Sequence, residues 1–239
     1  MAQIIKTIKD KLKRWSLSLL ILPASLLLFA WIFALLTEEI VYEKEFTTDV
    51  TIYKAVTSIQ TVGLTKFMSW ITFFGSRAFL LPAYLFMIGY FIFFKRKTST
   101  SIAVAGVALC GAGVLFISKN IFKRDRPTEP LIQRVTSFSY PSGHSFSAFT
   151  FAGIILYLIW TNKIQPAWKW FWSILLSLFA ATIAFSRVYL NVHFASDVFA
   201  GFCLSMIWLT VCYFTLRKLG LIKKVEKRTP KAEIVNVDV

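Results

Sequence analysis

Six long apolar runs set the terms on which this 239-residue chain can fold. They are Leu17–Leu36, Phe74–Phe94, Ser101–Ser118, Ser145–Thr161, Trp170–Val188 and Phe194–Leu216. Each approaches the roughly 20 residues that a helix needs to cross a bilayer. Within hydrocarbon the backbone must satisfy its own hydrogen bonds, so runs of this length become helices. A soluble chain of this size could not build a core that encloses all six. Composition agrees, with 56% of residues hydrophobic and 24 Phe, above the roughly 45–50% apolar content of soluble domains. The expected fold is all-α: a six-transmembrane-helix integral membrane bundle, a single domain over residues 1–239 with no linker or internal repeat.

Between the first two runs, Thr37–Ser69 is mixed. It opens acidic, with Glu38, Glu39, Glu43, Glu45 and Asp49. Val50–Met68 then predicts a helix lying on the membrane rather than a seventh span, because Lys54 and Lys66 interrupt it. The basic N-terminus ahead of Leu17 resembles a signal peptide, but the run behind it is too long, which predicts an uncleaved first span. Residues 217–239 read as a basic, disordered tail. Ala105, Gly106, Ala108, Gly111, Ala112 and Gly113 suggest that the third span packs closely against neighbours. Cys110, Cys203 and Cys212 lack metal-ligand spacing and read as small packing residues.

The formal net charge of +15 raises nucleic-acid binding, yet no soluble basic domain exists to perform it. Cations flanking the spans explain the excess through orientation and attraction to anionic lipid. Those at the N-terminus, at Lys95–Lys97, at Lys163 and Lys169, and in the tail share one side of the six-span layout. The positive-inside bias therefore predicts cytoplasmic N- and C-termini. Trp160, Trp168, Trp170 and Trp172 flank the loop between the fourth and fifth spans on that side and read as interfacial anchors.

The remaining cations gather elsewhere. Lys119, Lys123, Arg124, Arg126, Arg134 and Arg187 lie near the chain's two histidines, His144 and His193. In the six-span layout the third and fifth spans exit on one face, so these residues collect at the extracytoplasmic end. A phosphoryl group in transfer carries charge on three equatorial oxygens, which calls for fixed cations and N–H donors. Lys119, Arg126 and Arg187 can supply the cations. Ser142 and Gly143 precede the fourth span, where a helix N-terminus offers free N–H groups to an anion. Asp197, four residues after His193 and one helical turn away, can hold one imidazole nitrogen and leave the other free to attack phosphorus. His144 has no acid at that spacing and is better placed to protonate the leaving oxygen. Lys123, Arg124 and Arg134 read as solvated charges, or as extra contacts for a diphosphate.

Singly, a histidine near a span end is a packing residue and a lysine there sets orientation. Eleven specified positions in order are another matter. Lys119-x6-Arg126-Pro127, Pro141-Ser142-Gly143-His144 and Ser186-Arg187-x5-His193-x3-Asp197 resemble the three signature motifs of the type-two phosphatidic acid phosphatase family, with no departure at the fixed positions. The resemblance implies a phosphatase that needs no metal and no other cofactor. By motif position, His193 would be the nucleophile, His144 the acid/base and Asp197 the orienting carboxylate. Lys119, Arg126, Ser142, Gly143 and Arg187 would bind phosphate. The implied partner is a phospholipid or isoprenoid lipid phosphate in the bilayer, with no nucleic acid and no obligate protein partner.

The chain's compact size resembles bacterial members of that family, which implies a plasma-membrane enzyme with its active site facing outside. The expected reaction is hydrolysis of phosphatidylglycerophosphate to phosphatidylglycerol and phosphate through a phosphohistidine. Undecaprenyl diphosphate, or a broad range of lipid phosphates including phosphatidic acid, remains the alternative substrate. A lipid transporter is the alternative outside enzymes, but it would distribute ionisable residues through the spans rather than gather them at one end. A zinc site is disfavoured, since two histidines and one aspartate stand among cations.

Overall fold

The computed structural model describes residues 21–40, 47–133 and 136–222. Regular structure among them is helical throughout: α1 (Ile21–Ile40), α2 (Thr47–Ser58), α3 (Val62–Phe73), α4 (Arg77–Gly89), α5 (Thr98–Phe122), α6 (Gly143–Thr161), α7 (Pro166–Tyr189) and α8 (Ala195–Lys218). A π-helical stretch at Tyr90–Phe94 extends α4. Six stretches among these residues are long and apolar enough to cross a membrane, with Val62–Phe94 counting as one. The protein is a multi-pass, all-α membrane bundle, as expected. Residues 17–20, Arg134 and the tail beyond residue 222 lie outside the described residues.

Helix ends overrun the apolar runs wherever packing or capping carries the backbone further. Pro166 at the first position of α7 supplies a helical φ and lacks only an N–H that would go unpaired there. α1 continues past Leu36 because Ile40 is buried with Tyr140 and Ala200. Glu38 and Glu39 ride in that last turn.

The mixed segment departs most from expectation. Val50–Met68 is not one helix on the membrane but parts of two, α2 and α3, and α3 packs along α7. The break is held by Tyr189 at the end of α7. Its hydroxyl accepts from Thr61 N (3.0 Å), and its carbonyl accepts from Gln60 Nε2 (3.0 Å). Thr61 then caps α3 by accepting from Leu64 N. Lys54 and Lys66 are exposed, so the burial of Val56 and Met68 decides which faces turn inward.

α6 is the centre of the bundle, packed against α7 and α8. Ala148, Ala152, Ala180, Ile183 and Ile71 form one buried cluster across α6, α7 and α3. Close approach through small residues therefore falls mainly on α6 with α7 and α8. In α5, positions 106 and 113 have no neighbour close enough to touch a side chain. Gly111 alone among those α5 glycines meets one, the Trp208 indole, whose Nε1 donates to Val107 O (3.1 Å). Of the three glycines in the third span, only Gly111 meets the close approach expected there. At the far end of α6 and α7, Trp168, Trp170 and Trp172 are exposed, as membrane-interface anchors require.

Candidate active site

The site forms where four helix termini meet. Ser142 is the N-cap of α6, Asp197 lies in the first turn of α8, and Lys119 and Arg187 lie in the last turns of α5 and α7. Ser142 N donates to Asp197 O at 2.9 Å, which locks the starts of α6 and α8 together. Gly201 makes that approach possible, since a Cβ there would stand 2.6 Å from Ser142 O and 3.0 Å from Ser145 Cβ. Tyr140, joined to Pro141 by a cis peptide, is fully buried, with its hydroxyl 2.8 Å from Thr37 Oγ1. Burial holds its phenol well above the ordinary value. It clamps the chain just before Ser142, between Phe33 and Phe122.

All eight residues singled out from the sequence come together at this end. Lys119 Nζ donates to Phe138 O (2.5 Å) and Ser139 O (3.1 Å). Gly143 faces it: a Cβ there would lie 3.8 Å from Lys119 Cε. α5 ends on Lys123 in the left-handed conformation (φ 45°), and the chain that follows brings Arg124 and Arg126 into the site. Arg126 donates to Ser137 O and Val192 O, each at 2.6 Å, and its Nη1 lies 3.1 Å from His193 Nε2. Arg187 Nη1 donates to Thr72 Oγ1 (2.8 Å), while its buried Nε finds no partner among the described residues. An unpaired buried donor beside two other cations suits an anionic oxygen.

His193 is buried, with Nδ1 3.4 Å from Asp197 Oδ2. The contact expected from the spacing is present, although His193 precedes α8 rather than lying within it. Asp197 is also held by several other donors. Its Oδ2 accepts from Phe194 N (2.9 Å) and from the Ser139 hydroxyl, which also lies 3.1 Å from His193 Nδ1. A guanidinium can only donate, so Arg126 makes Nε2 the acceptor and leaves the proton on Nδ1, facing Asp197. Burial pushes the His193 imidazole down to about 3, against the pull of Asp197, so the ring is neutral and Nε2 keeps the lone pair that here accepts from Arg126.

His144 occupies the first turn of α6 among Lys119, Arg126, Arg187 and His193, all near enough to act on it electrostatically. No described carboxylate pairs with it, as expected. Its ring lies against Gly75 at the break between α3 and α4, where a Cβ would stand 3.0 Å from His144 Cδ2.

Four participants escaped the sequence argument. Arg124 is not a solvated charge: its side chain is 9% exposed and bonds Asp197 Oδ1 (2.7 Å), Ser196 Oγ (2.7 Å) and Asp49 Oδ2 (2.9 Å). Asp49, in the first turn of α2, also accepts from Ser196 N (2.8 Å). Ser139 and Thr72 carry no local pattern that marks them. Asp49 belongs to the acidic run that opens the mixed segment, and nothing there sets it apart from its neighbours. Lys123 is exposed, as expected. Among the described residues no three His, Cys, Asp or Glu side chains gather as metal ligands.

Fold and site together define an integral membrane protein built to surround an anion with cations, beside one neutral and well-oriented imidazole. The PAP2 superfamily model matches residues 99–220, and the chain belongs to that superfamily. Phosphatidylglycerophosphatase B of Bacillus subtilis is 33% identical over 186 residues, covering 77% of this chain and 90% of that one. An undecaprenyl-diphosphatase of Sulfolobus acidocaldarius is 26% identical over 75% of this chain and 83% of its own. In three dimensions the chain is similar to the crystal structure of a transmembrane PAP2-type phosphatidylglycerolphosphate phosphatase from Bacillus subtilis. That match has TM-score 0.73 and 31% identity, covering 82% of this chain and 96% of the other.

Proposed function

We propose that this protein is a membrane lipid phosphatase that converts phosphatidylglycerophosphate to phosphatidylglycerol and phosphate, with its site at the outer face of a bacterial plasma membrane. The single observation that carries the reading is the state of His193: Nδ1–H faces Asp197 and Ser139, and Nε2 faces the cations. Similarity to the Bacillus subtilis phosphatidylglycerophosphatase B, over most of both chains, favours this substrate. The weaker similarity to an undecaprenyl-diphosphatase favours undecaprenyl diphosphate as the second choice.

In the proposed mechanism the terminal phosphoryl oxygens accept from Lys119, Arg126 and Arg187, from the Ser142 hydroxyl and from the Gly143 N–H at the start of α6. His193 Nε2 attacks phosphorus while the ester P–O bond breaks, and His144 gives its proton to the leaving glycerol oxygen. The dianionic phosphoryl group offsets the cations around His144, so the ring can carry that proton. The intermediate is a phosphohistidine whose Nδ1–H is held by Asp197. Water then attacks phosphorus, His144 takes its proton, and the P–N bond breaks to free phosphate. No step of this mechanism calls on a metal, so chelation with EDTA should leave the rate unchanged.

The test is phosphate release from phosphatidylglycerophosphate by the purified full chain in detergent micelles. His193→Ala should be inactive, and acid-quenched enzyme should retain label from a radioactive phosphate ester. Full activity in His193→Ala, or no trapped label at any quench time, overturns the mechanism. Faster turnover of undecaprenyl diphosphate in the same micelles reassigns the substrate.

A further inference from the structure

Arg77 is the first residue of α4, two positions after Gly75, whose Cα backs onto the His144 ring. It therefore stands beside the wall of the catalytic pocket. The same wall supplies Thr72, which holds Arg187 at 2.8 Å. Yet Arg77 faces away from the packed interior. Arg77 is exposed, and so is Leu81 (63%), one turn further along the same face of α4. They lie within the apolar stretch Val62–Phe94, so this is the lipid-facing surface of a membrane span. No described carboxylate pairs with Arg77. An unpaired guanidinium on such a surface is costly unless an anionic group meets it, and in a bilayer the groups at hand are lipid phosphates.

We propose that Arg77 is a substrate-specificity residue that binds the phosphate which stays with the lipid, on the bilayer side of the catalytic pocket. The inference rests on the lipid-phosphatase reading above. Phosphatidylglycerophosphate and undecaprenyl diphosphate share one feature: a second phosphate remains on the lipid product after the terminal one leaves. A substrate entering from the membrane has its terminal phosphoryl group among Lys119, Arg126 and Arg187. Its retained phosphate then lies toward the bilayer, where Arg77 waits with five donors in a fork matched to phosphate oxygens. Phosphatidic acid has no such second group and makes no use of the contact. Arg77 thus selects lipids that carry two phosphates over lipids that carry one.

The experiment compares wild type, Arg77→Gln and Arg77→Lys on phosphatidylglycerophosphate and on phosphatidic acid in identical micelles. Arg77→Gln should raise KM for the two-phosphate lipid about tenfold with kcat little changed, while its kinetics on phosphatidic acid stay as in wild type. Arg77→Lys should recover part of the loss. Phosphatidylglycerol, which keeps the retained phosphate, should compete with p-nitrophenyl phosphate hydrolysis in wild type and about tenfold less well in Arg77→Gln. Equal kinetics of wild type and variant on both lipids, or an equal loss on both, overturn the inference; the first would leave Arg77 as an anchor for bulk lipid. Should wild type turn over neither two-phosphate lipid, the functional reading fails. The competition arm would still decide the role of Arg77, because identical inhibition of the two proteins refutes it.

Discussion

Arg124 bonds Asp197 through one nitrogen of its guanidinium at 2.7 Å and Asp49 through the other at 2.9 Å. One buried cation thus joins α2 to the first turn of α8, with the Phe194 ring stacked 4.2 Å below it. The orientation of the carboxylate behind His193 depends on a residue from a segment with no motif at all.

Arg124→Gln leaves two carboxylates, Asp49 and Asp197, with 3% and 0% side-chain exposure and no cation. Stripping one partner from a buried pair costs about 3–5 kcal/mol. The variant should unfold at a clearly lower temperature in detergent, and adding Asp49→Asn should restore part of the loss. Equal melting of wild type and Arg124→Gln would show that the bridge is not structural.

Ser139 is the hydroxyl shared between His193 Nδ1 and Asp197 Oδ2. Removing a bond to a charged group costs about 1.5–3 kcal/mol. Ser139→Ala should therefore lower kcat at least about tenfold, with KM nearly unchanged, because the hydroxyl is bonded to Asp197 and to the Nδ1 side of the proposed nucleophile, away from Nε2. A change confined to KM would place Ser139 in binding instead.

Gly201→Ala puts a methyl group 2.6 Å from the Ser142 carbonyl oxygen, where only backbone can give way. Overpacking of this kind costs about 1–3 kcal/mol. Both melting temperature and phosphate release should fall. Gly113→Ala, with nothing near its Cβ, is the control that should leave both alone.

The folded His193 pKa of about 3 lies below its ordinary 6.5. Between these values the unfolded chain binds a proton that the folded one refuses. This group's contribution to stability is therefore full above about pH 6.5 and is lost as pH falls toward 3. For catalysis, the proposed nucleophile stays neutral at every pH above about 4, so an acid limb nearer neutrality must come from another group. Nitrogen-15 spectra of histidine-labelled protein should show His193 protonated on Nδ1 only, from pH 5 to 8. An imidazolium signal in that range contradicts the assigned tautomer.

Much of this protein was legible in its residue order. Apolar runs of bilayer length leave a chain no fold but a helical bundle, because hydrocarbon offers the backbone no partner except itself. His144, His193, Asp197, Lys119, Arg126, Ser142, Gly143 and Arg187, which the fold brings together, stood out as a candidate phosphate site by residue type and spacing, since anion binding and proton transfer restrict which side chains serve. What residue order could not reveal was who supports them. Asp49, Arg124, Ser139, Thr72 and Gly201 matter only through contacts with residues distant in sequence, and neither spacing nor periodicity marks such partners. The division of Thr37–Ser69 into α2 and α3 was hidden for the same reason, as it turns on the Tyr189 side chain and carbonyl waiting at the end of another helix. Sequence determined the medium and the chemistry; tertiary packing decided the geometry, because a buried charge takes whatever partner the fold brings within about 3 Å.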